Sequence, residues 1–427
     1  MREMKDSGVE WIGAIPADWS ISRIKYVAEF DPVCNKSAIN GSSLITYTPM
    51  DCIKHGWFIN NSAPLESLST SLTTYQEGDI VMAKVTPCFE NGNIAIMEGL
   101  HNGFGMGSSE LFVFRPKCID TKFFFYWLQN NAFVQKAKAT MTGTGGLKRV
   151  SPVFTRNCPV HIPPYEDQRR IALFLDDKVD QVNILIANVQ AQIEKLKAYK
   201  QSLITEVVIK GLAPTVPMKD SGVEWIGKIP AHWEVTRIKD MFDLRNERND
   251  EADLSKVNLI SLYTDLGVVQ HSDLTETTGN RAVTAEGYKF VHKNDIVVNI
   301  ILCWMGAVGM SKYDGVTSPA YDIYRPLEGT NSEYYHYLFR TNRFNGECYR
   351  YGRGIMMMRW RTYSTEFRAI NIPCPPADEQ RKIVDYLNEK SSQVDRLIAI
   401  KQAKIEKLEQ YKHSLIYEYV TGKEEVV

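Results

Sequence analysis

From Glu166 the apolar residues return at heptad spacing. Val179, Ile186, Ile193 and Val207 share one slot, with Lys200 between them, and Val182, Val189, Leu196 and Leu203 share the other. This is the seam of a coiled coil. A second seam holds Ile398, Ile405 and Tyr419 in one slot and Val394, Leu408 and Leu415 in the other, interrupted by Ser391, Lys401 and Lys412. Pro163-Pro164 and Pro375-Pro376 keep the preceding chain out of a helix, and Glu166-Asp167 and Asp378-Glu379 put acids where the helix dipole favours them. Gly211 and Gly422 stop the two segments. A helix over 166–210 would be roughly 65 Å long at 1.5 Å per residue. Each seam needs a partner, and because each helix is followed by a return to the other half of the chain, the two are expected to pair antiparallel.

Upstream of each seam the pattern is mixed. Gly78–Lys84, Glu110–Pro116, Asn294–Asn299 and Ala320–Pro326 read as short strands bounded by turn residues. Thr121–Lys138 and Ser332–Asn345 read as aromatic-rich helices. The expected fold class is α+β: two globular mixed α/β domains alternating with two long helices that pair as an antiparallel coiled coil. The divisions are 1–163 and 213–375 for the domains, 164–212 and 376–422 for the helices, and 423–427 for a tail.

An internal repeat underlies this alternation. Met4–Lys25 and Met218–Lys239 are identical at 17 of 22 positions, differing at Ala14/Lys228, Asp18/His232, Ser20/Glu234, Ile21/Val235 and Ser22/Thr236. Pro163-Pro164-Tyr165-Glu166-Asp167-Gln168-Arg169-Arg170-Ile171 corresponds to Pro375-Pro376-Ala377-Asp378-Glu379-Gln380-Arg381-Lys382-Ile383, and Ile193-Glu194-Lys195-Leu196 recurs at Ile405–Leu408. The middles, about 30–160 and 240–370, share little. Ends kept alike around divergent middles suggest one scaffold presenting two binding surfaces, whereas a duplicated enzyme would keep its chemistry in both copies.

Composition narrows the classes further. At 427 residues and 44% apolar content the chain can bury substantial cores, and no apolar run is long enough to span a membrane. The charged start Met1-Arg2-Glu3-Met4-Lys5-Asp6 lacks a signal-peptide core, so a cytoplasmic location is expected. The eight cysteines are scattered without metal or redox spacing and read as reduced thiols. With a formal charge of −1, nucleic-acid contact would have to come from local patches or partners.

Two such patches stand out. Thr142-Gly143-Thr144-Gly145-Gly146-Leu147-Lys148-Arg149 and Arg350-Tyr351-Gly352-Arg353-Gly354, the latter followed by Arg359-Trp360-Arg361, combine glycines that permit close backbone approach with cations suited to phosphates or guanine edges. Lys84, Lys148, Arg149, Arg353, Arg359 and Arg361, with Trp304 as a stacking ring, are the candidate DNA contacts. Solvated basic loops and a core tryptophan are the plainer readings of the same residues. The alternative reading of Pro163-Pro164-Tyr165, as the loop with which DNA amino-methyltransferases grip their target, fails. It needs a polar residue before the prolines, and Ile162 stands there; the second copy reads Cys374-Pro375-Pro376-Ala377 and also lacks the aromatic. No nucleophile elbow, zinc-binding His pair or nucleotide loop is present, and His55, His101 and His292 have no ligand spacing. Glu90 and Glu98 have no counterparts in the second copy, which favours a binding protein over an enzyme.

The segment Lys5–Trp19, its repeat at Lys219–Trp233, the Pro-Pro-x-x-x-Gln-x-x-Ile joints and the stretch Trp304-Met305-Gly306-Ala307-Val308-Gly309 through Asp314-Gly315 to Ser318-Pro319-Ala320-Tyr321 together resemble the specificity subunit of type I restriction-modification enzymes, over essentially the whole chain. The resemblance implies two target-recognition domains, each reading half of a split asymmetric site in double-stranded DNA. The helices would act as a ruler and dock two modification subunits, with two restriction subunits joining in complexes that cut. It implies no catalysis and no cofactor in this chain; S-adenosylmethionine, ATP and Mg would belong to the partners, and no membrane is involved. Val182, Val189, Leu196, Leu203, Val394, Ile405, Leu408 and Leu415 are the expected seam and partner-binding positions. An adaptor joining two protein-binding domains, without DNA, is the rival; a piece of a single-chain restriction enzyme fits less well, since methyltransferase and nuclease motifs are missing.

Overall fold

The computed structural model describes residues 3–34, 39–273, 284–354 and 360–426. These form two compact units, 1–190 with 402–427, and 191–401. Each long helix therefore contributes to both units.

In the first unit eight strands, β1 (Ala28–Phe30), β2 (Leu44–Thr48), β3 (Asn61–Pro64), β4 (Thr73–Gln76), β5 (Ile80–Ala83), β6 (Ile94–Ile96), β7 (Phe104–Gly107) and β8 (Leu111–Pro116), build two sheets. One is antiparallel in the order β1-β8-β5-β6; the other runs β3-β2-β7-β4, with β2 and β7 parallel. Ile80 and Met82 of β5 and Phe112 and Phe114 of β8 are buried in one cluster, and Val81, Ala83, Leu111 and Val113 between them in a second, so both faces of these strands are covered.

The predicted helix over Thr121–Lys138 is two helices, α1 (Thr121–Trp127) and α2 (Asn131–Ala139). The break is at Asn130, whose side chain accepts the Phe133 N–H and caps a new start, a competition with helix continuation typical of Asn. A short α3 (Pro152–Asn157), capped by Ser151, precedes the long α4 (Tyr165–Lys210).

The second unit repeats the plan with β9 (Phe242–Arg245), β10 (Ile260–Tyr263), β11 (Gly267–Gln270), β12 (Lys289–Val291), β13 (Ile296–Asn299), β14 (Val308–Met310), β15 (Gly315–Thr317) and β16 (Tyr321–Pro326). The antiparallel order β9-β16-β13-β14 matches the first unit strand for strand. The hairpin β10-β11 and the antiparallel pair β12-β15, linked by a parallel bridge between Leu259 and Val316, match its second sheet. Here too the predicted Ser332–Asn345 helix is split, into α5 (Ser332–Phe339) and α6 (Asn342–Tyr351), by Thr341 capping the Phe344 N–H. Then come α7 (Ser364–Ala369) and the long α8 (Ala377–Val420). Middles that share little sequence thus share one topology.

The near-identical ends have a structural reason. In the second unit Ile204, Val207 and Val208 near the end of α4 are buried with Trp225, Ile229 and Trp233 of the repeated motif. In the first unit Leu415, Ile416 and Val420 of α8 are buried with Ile12, Ile15 and Trp19. Each motif is a socket for a helix end, and the glycine after each helix takes a left-handed φ beside it: a Cβ on Gly422 would lie 2.5 Å from Pro16, and one on Gly211 3.2 Å from Trp233.

The Pro-Pro-x-x-x-Gln joint is equally specific. Buried Gln168 donates to the Pro163 carbonyl (2.9 Å) and accepts the Asp120 N–H (2.7 Å) at the start of α1. Buried Gln380 donates to the Pro375 carbonyl (2.8 Å) and accepts the Asn331 N–H (2.9 Å) at the start of α5. One amide thus ties each domain to its long helix by two backbone groups, a buried carbonyl and a half-buried N–H, that would otherwise lack this partner.

Candidate nucleic-acid interface

The first basic loop closes on itself and on the exit of β5. Thr142 and Arg149 exchange both backbone hydrogen bonds (3.1 and 2.9 Å), and Val150 N–H donates to the Lys84 carbonyl (2.9 Å). Thr86 grips the loop's far side: its hydroxyl donates to the Gly146 carbonyl (2.8 Å) and accepts the Lys148 N–H (2.9 Å). Gly143, at φ +148, leaves no room for a Cβ, which would sit 2.1 Å from the Leu147 carbonyl oxygen.

On this platform Arg149 donates Nε–H and Nη2–H to the two carboxylate oxygens of Glu110 at 2.8 and 2.7 Å. That bidentate pairing, helped by the charge of Lys84, holds the Glu110 carboxyl below its ordinary range against the opposing effect of burial. The Lys84 ammonium lies 5.4 Å from the Phe112 ring centre, while Lys148 is exposed and forms no ion pair among the described residues. Lys84, Lys148 and Arg149 are brought together with Glu110 beside them, and the Lys84 charge also acts on the Asp31 carboxyl.

The second basic loop occupies the same place in its unit. Arg353 and Arg361 exchange backbone hydrogen bonds (2.8 and 2.9 Å), and Thr362 N–H donates to the Ile300 carbonyl (2.9 Å) just past β13, as Val150 does to Lys84. The support differs. Trp360 stacks on Tyr349 with ring centres 4.9 Å apart and donates its indole N–H to the Tyr349 carbonyl, and Trp304 meets the same Tyr349 edge-on at 5.6 Å. Trp304 is half-buried and its N–H goes to the Ile301 carbonyl (2.9 Å), so only its ring is left to touch a ligand. Arg353 pairs with Glu366 at 2.9 Å; Arg361 is exposed and has no carboxylate partner among the described residues. Arg359 lies outside the described residues.

Sequence reasoning missed the residues that hold these loops: Thr86, Glu110, Tyr349 and Glu366. Only Glu110, immediately before a β-like run, stood in a segment already singled out. Among the described residues no group of side chains has the makings of a metal site, and no helix is long and apolar enough to cross a membrane.

Along the helix seam, Val182, Val189, Val394, Ile405 and Leu415 are buried, and Leu196, Leu203 and Leu408 are half-buried. In the first unit buried Lys412 donates to Asn183 Oδ1 (3.3 Å) and pairs with Glu409 (2.6 Å). In the second, Lys200 binds both oxygens of Asp395 (2.8 and 2.7 Å), and Lys401 reaches Gln192. These contacts set α4 and α8 antiparallel within each unit and place polar layers in the seam. On the outer faces Leu185, Tyr199, Leu397 and Tyr411 remain exposed.

A duplicated α/β module, each copy carrying a basic loop at the exit of an equivalent strand and each joined by one buried glutamine to an antiparallel helix pair, defines an internally repeated scaffold with two differently furnished loops. The profile of the type I restriction modification DNA specificity domain matches this chain twice, over residues 16–195 and 230–410, and the chain belongs to that family. It is 27% identical over 254 residues to the specificity subunit of the type I restriction enzyme EcoAI of Escherichia coli, covering 58% of this chain and 40% of the relative. The EcoEI specificity subunit of Escherichia coli is 27% identical over 190 residues, 42% of this chain and 32% of the relative. The chain thus spans less than half of these two relatives. With the putative MjaX specificity subunit of Methanocaldococcus jannaschii the match is 24% over 438 residues, covering 96% of this chain and 95% of the relative. A chain from a solved structure concerned with complex assembly and conformational transition of the type I R-M system shares the fold, with a TM-score of 0.71 at 15% identity over 96% of this chain and 99% of that one.

Proposed function

We propose that this chain is the sequence-reading, non-catalytic subunit of a type I restriction-modification complex. Each domain reads one half of a bipartite, asymmetric site in double-stranded DNA through its basic loop, with Lys84, Lys148 and Arg149 on one half and Arg353, Arg359, Arg361 and the Trp304 ring on the other. Domains 1–163 and 213–375 do the reading. Helices 164–212 and 376–422 set the spacer and, through exposed Leu185, Tyr199, Leu397 and Tyr411, dock two modification subunits; two restriction subunits join where the complex cuts. S-adenosylmethionine, ATP and Mg are bound by those partners, in the cytoplasm.

The observation that carries this reading is the equivalence of the two loops. Both leave the same strand position in the same topology, yet the first is held by the Thr86 hydroxyl and a carboxylate on Arg149, and the second by an aromatic stack together with a carboxylate on Arg353. A shared frame with differently furnished faces is what an asymmetric split target requires. Because phosphate charge dominates non-specific affinity, a near-neutral chain would rely on its partners for much of the clamp.

The test is co-expression with the modification subunit of its system, followed by single-molecule mapping of methylated adenines. A split asymmetric motif that vanishes when this chain is deleted is the expected result. A stable complex with no motif would favour a protein-binding adaptor instead.

A further inference from the structure

The Arg149–Glu110 pair leaves one edge of the guanidinium uncommitted. A guanidinium carries five N–H groups in a fixed plane: one on Nε and two on each Nη. Glu110 takes the Nε–H and one Nη2–H. The two on Nη1 and the second on Nη2 remain, forming the end-on fork whose parallel N–H groups match the O6 and N7 acceptors of guanine in the major groove.

The side chain is 46% exposed, and among the described residues its guanidinium hydrogen-bonds to Glu110 alone. Its backbone is fixed by the exchange with Thr142, and both neighbours are pinned, Lys148 to Thr86 and Val150 to Lys84. A long side chain held at both ends loses little rotamer freedom on binding, which favours a specific contact over a mobile phosphate contact. Lys148, exposed and without an ion pair among the described residues, has the opposite character of a flexible point charge.

We propose that Arg149 reads a guanine in the half-site of the first domain and that Glu110 is the positioning residue that sets its fork for that base. The proposal rests on the reading that the 142–149 loop faces DNA. It assigns Lys148 to phosphate.

The test is adenine-methylation mapping in cells that co-express the modification subunit with the full chain or its variants. With the native chain, the first domain's half of the motif contains a guanine. In Arg149→Lys, which keeps the charge but loses the fork, discrimination at that one G·C pair falls about tenfold or more, as expected for loss of a bidentate base contact, while the other half is unchanged. Glu110→Gln relaxes the same position and Glu110→Asp partly restores it, which a purely structural role for Glu110 would not produce. Lys148→Ala lowers methylation evenly across sequences and leaves the motif intact. If Arg149→Lys and Glu110→Gln lower methylation evenly without altering any position, Arg149 is a phosphate contact and the proposal fails while the DNA-facing reading stands. If Arg149→Lys, Arg149→Ala and Lys148→Ala all leave motif and extent of methylation unchanged, the loop is off the DNA and both fail.

Discussion

The two units hold the same loop by different chemistry. In the first, the loop is anchored by the Thr86 hydroxyl and by a carboxylate that grips Arg149; in the second, Trp360 and Trp304 pack on Tyr349, and Arg353 is drawn to Glu366. A similar exchange occurs inside the sheets. Buried Asp79, before β5, is neutralised by Arg115 from β8, whereas its counterpart Asp295, before β13, is neutralised by Arg245 from β9. Both carboxylates accept a backbone N–H that shapes the turn, from Gln76 and His292 respectively. The lesson is that the frame constrains where a charge must be answered, not which strand answers it, so the faces can diverge while the topology stays.

That comparison separates parts that should respond alike from parts that should not. The sockets should respond alike and most strongly. Trp19→Ala and Trp233→Ala each remove a fully buried indole and should cost about 3–5 kcal/mol, each in its own unit, measured by denaturant unfolding with hydrogen exchange to assign the unit. A loss confined to one of the two would break the equivalence of the sockets.

The buried histidines come next, and here the units differ. Burial lowers His161, which accepts the Trp127 indole N–H, to about 4, and lowers His336, which accepts the Met310 N–H, to about 3. Both stay neutral when folded, while the unfolded chain takes up a proton below about pH 6.5. Their stabilisation is therefore complete above that pH and declines as pH falls, levelling off near pH 4 for His161 and near pH 3 for His336. For His161 the decline should be roughly 3 kcal/mol and should disappear in His161→Gln, read from unfolding free energies across pH.

The joints should again match. Gln168→Ala and Gln380→Ala each take the side-chain partner from a half-buried N–H and a buried carbonyl, so losses of about 1–3 kcal/mol in each are expected from the same unfolding measurements. Smallest of all, Lys200→Met, which breaks the half-exposed pair with Asp395, should change stability by about 0.5 kcal/mol and less at high salt. A larger effect would mean that this polar layer holds the helix register.

Much of this plan was legible in the residues because its signals are local. Heptad spacing, short apolar runs bounded by turn residues and the repeated motifs are read over a few residues, and the helices, strands and sockets lie where those signals are. Asn130 and Thr341 show where locality misled: an aromatic-rich helical pattern ran through a capping residue that the fold uses as a new start. The shared topology of the middles was hidden because a sheet accepts any residues that bury one face. Glu110 was not picked out as a partner of Arg149 because the two are 39 residues apart and only strand pairing brings them together. Gln168 and Gln380 were visible as a fixed spacing after Pro-Pro, but their double role needs the helix starts at Asp120 and Asn331 to be in place.

The central claim is that each unit reads its own half of the target on a common frame. The direct measurement is methylation mapping with a chain in which residues 28–157 of the first unit replace 242–369 of the second, leaving the repeated motifs and long helices untouched and putting Asp120 in the place of Asn331 at the joint. The account predicts a motif with the first unit's half-site sequence in both halves. An unchanged asymmetric motif from an assembled, active complex would contradict it.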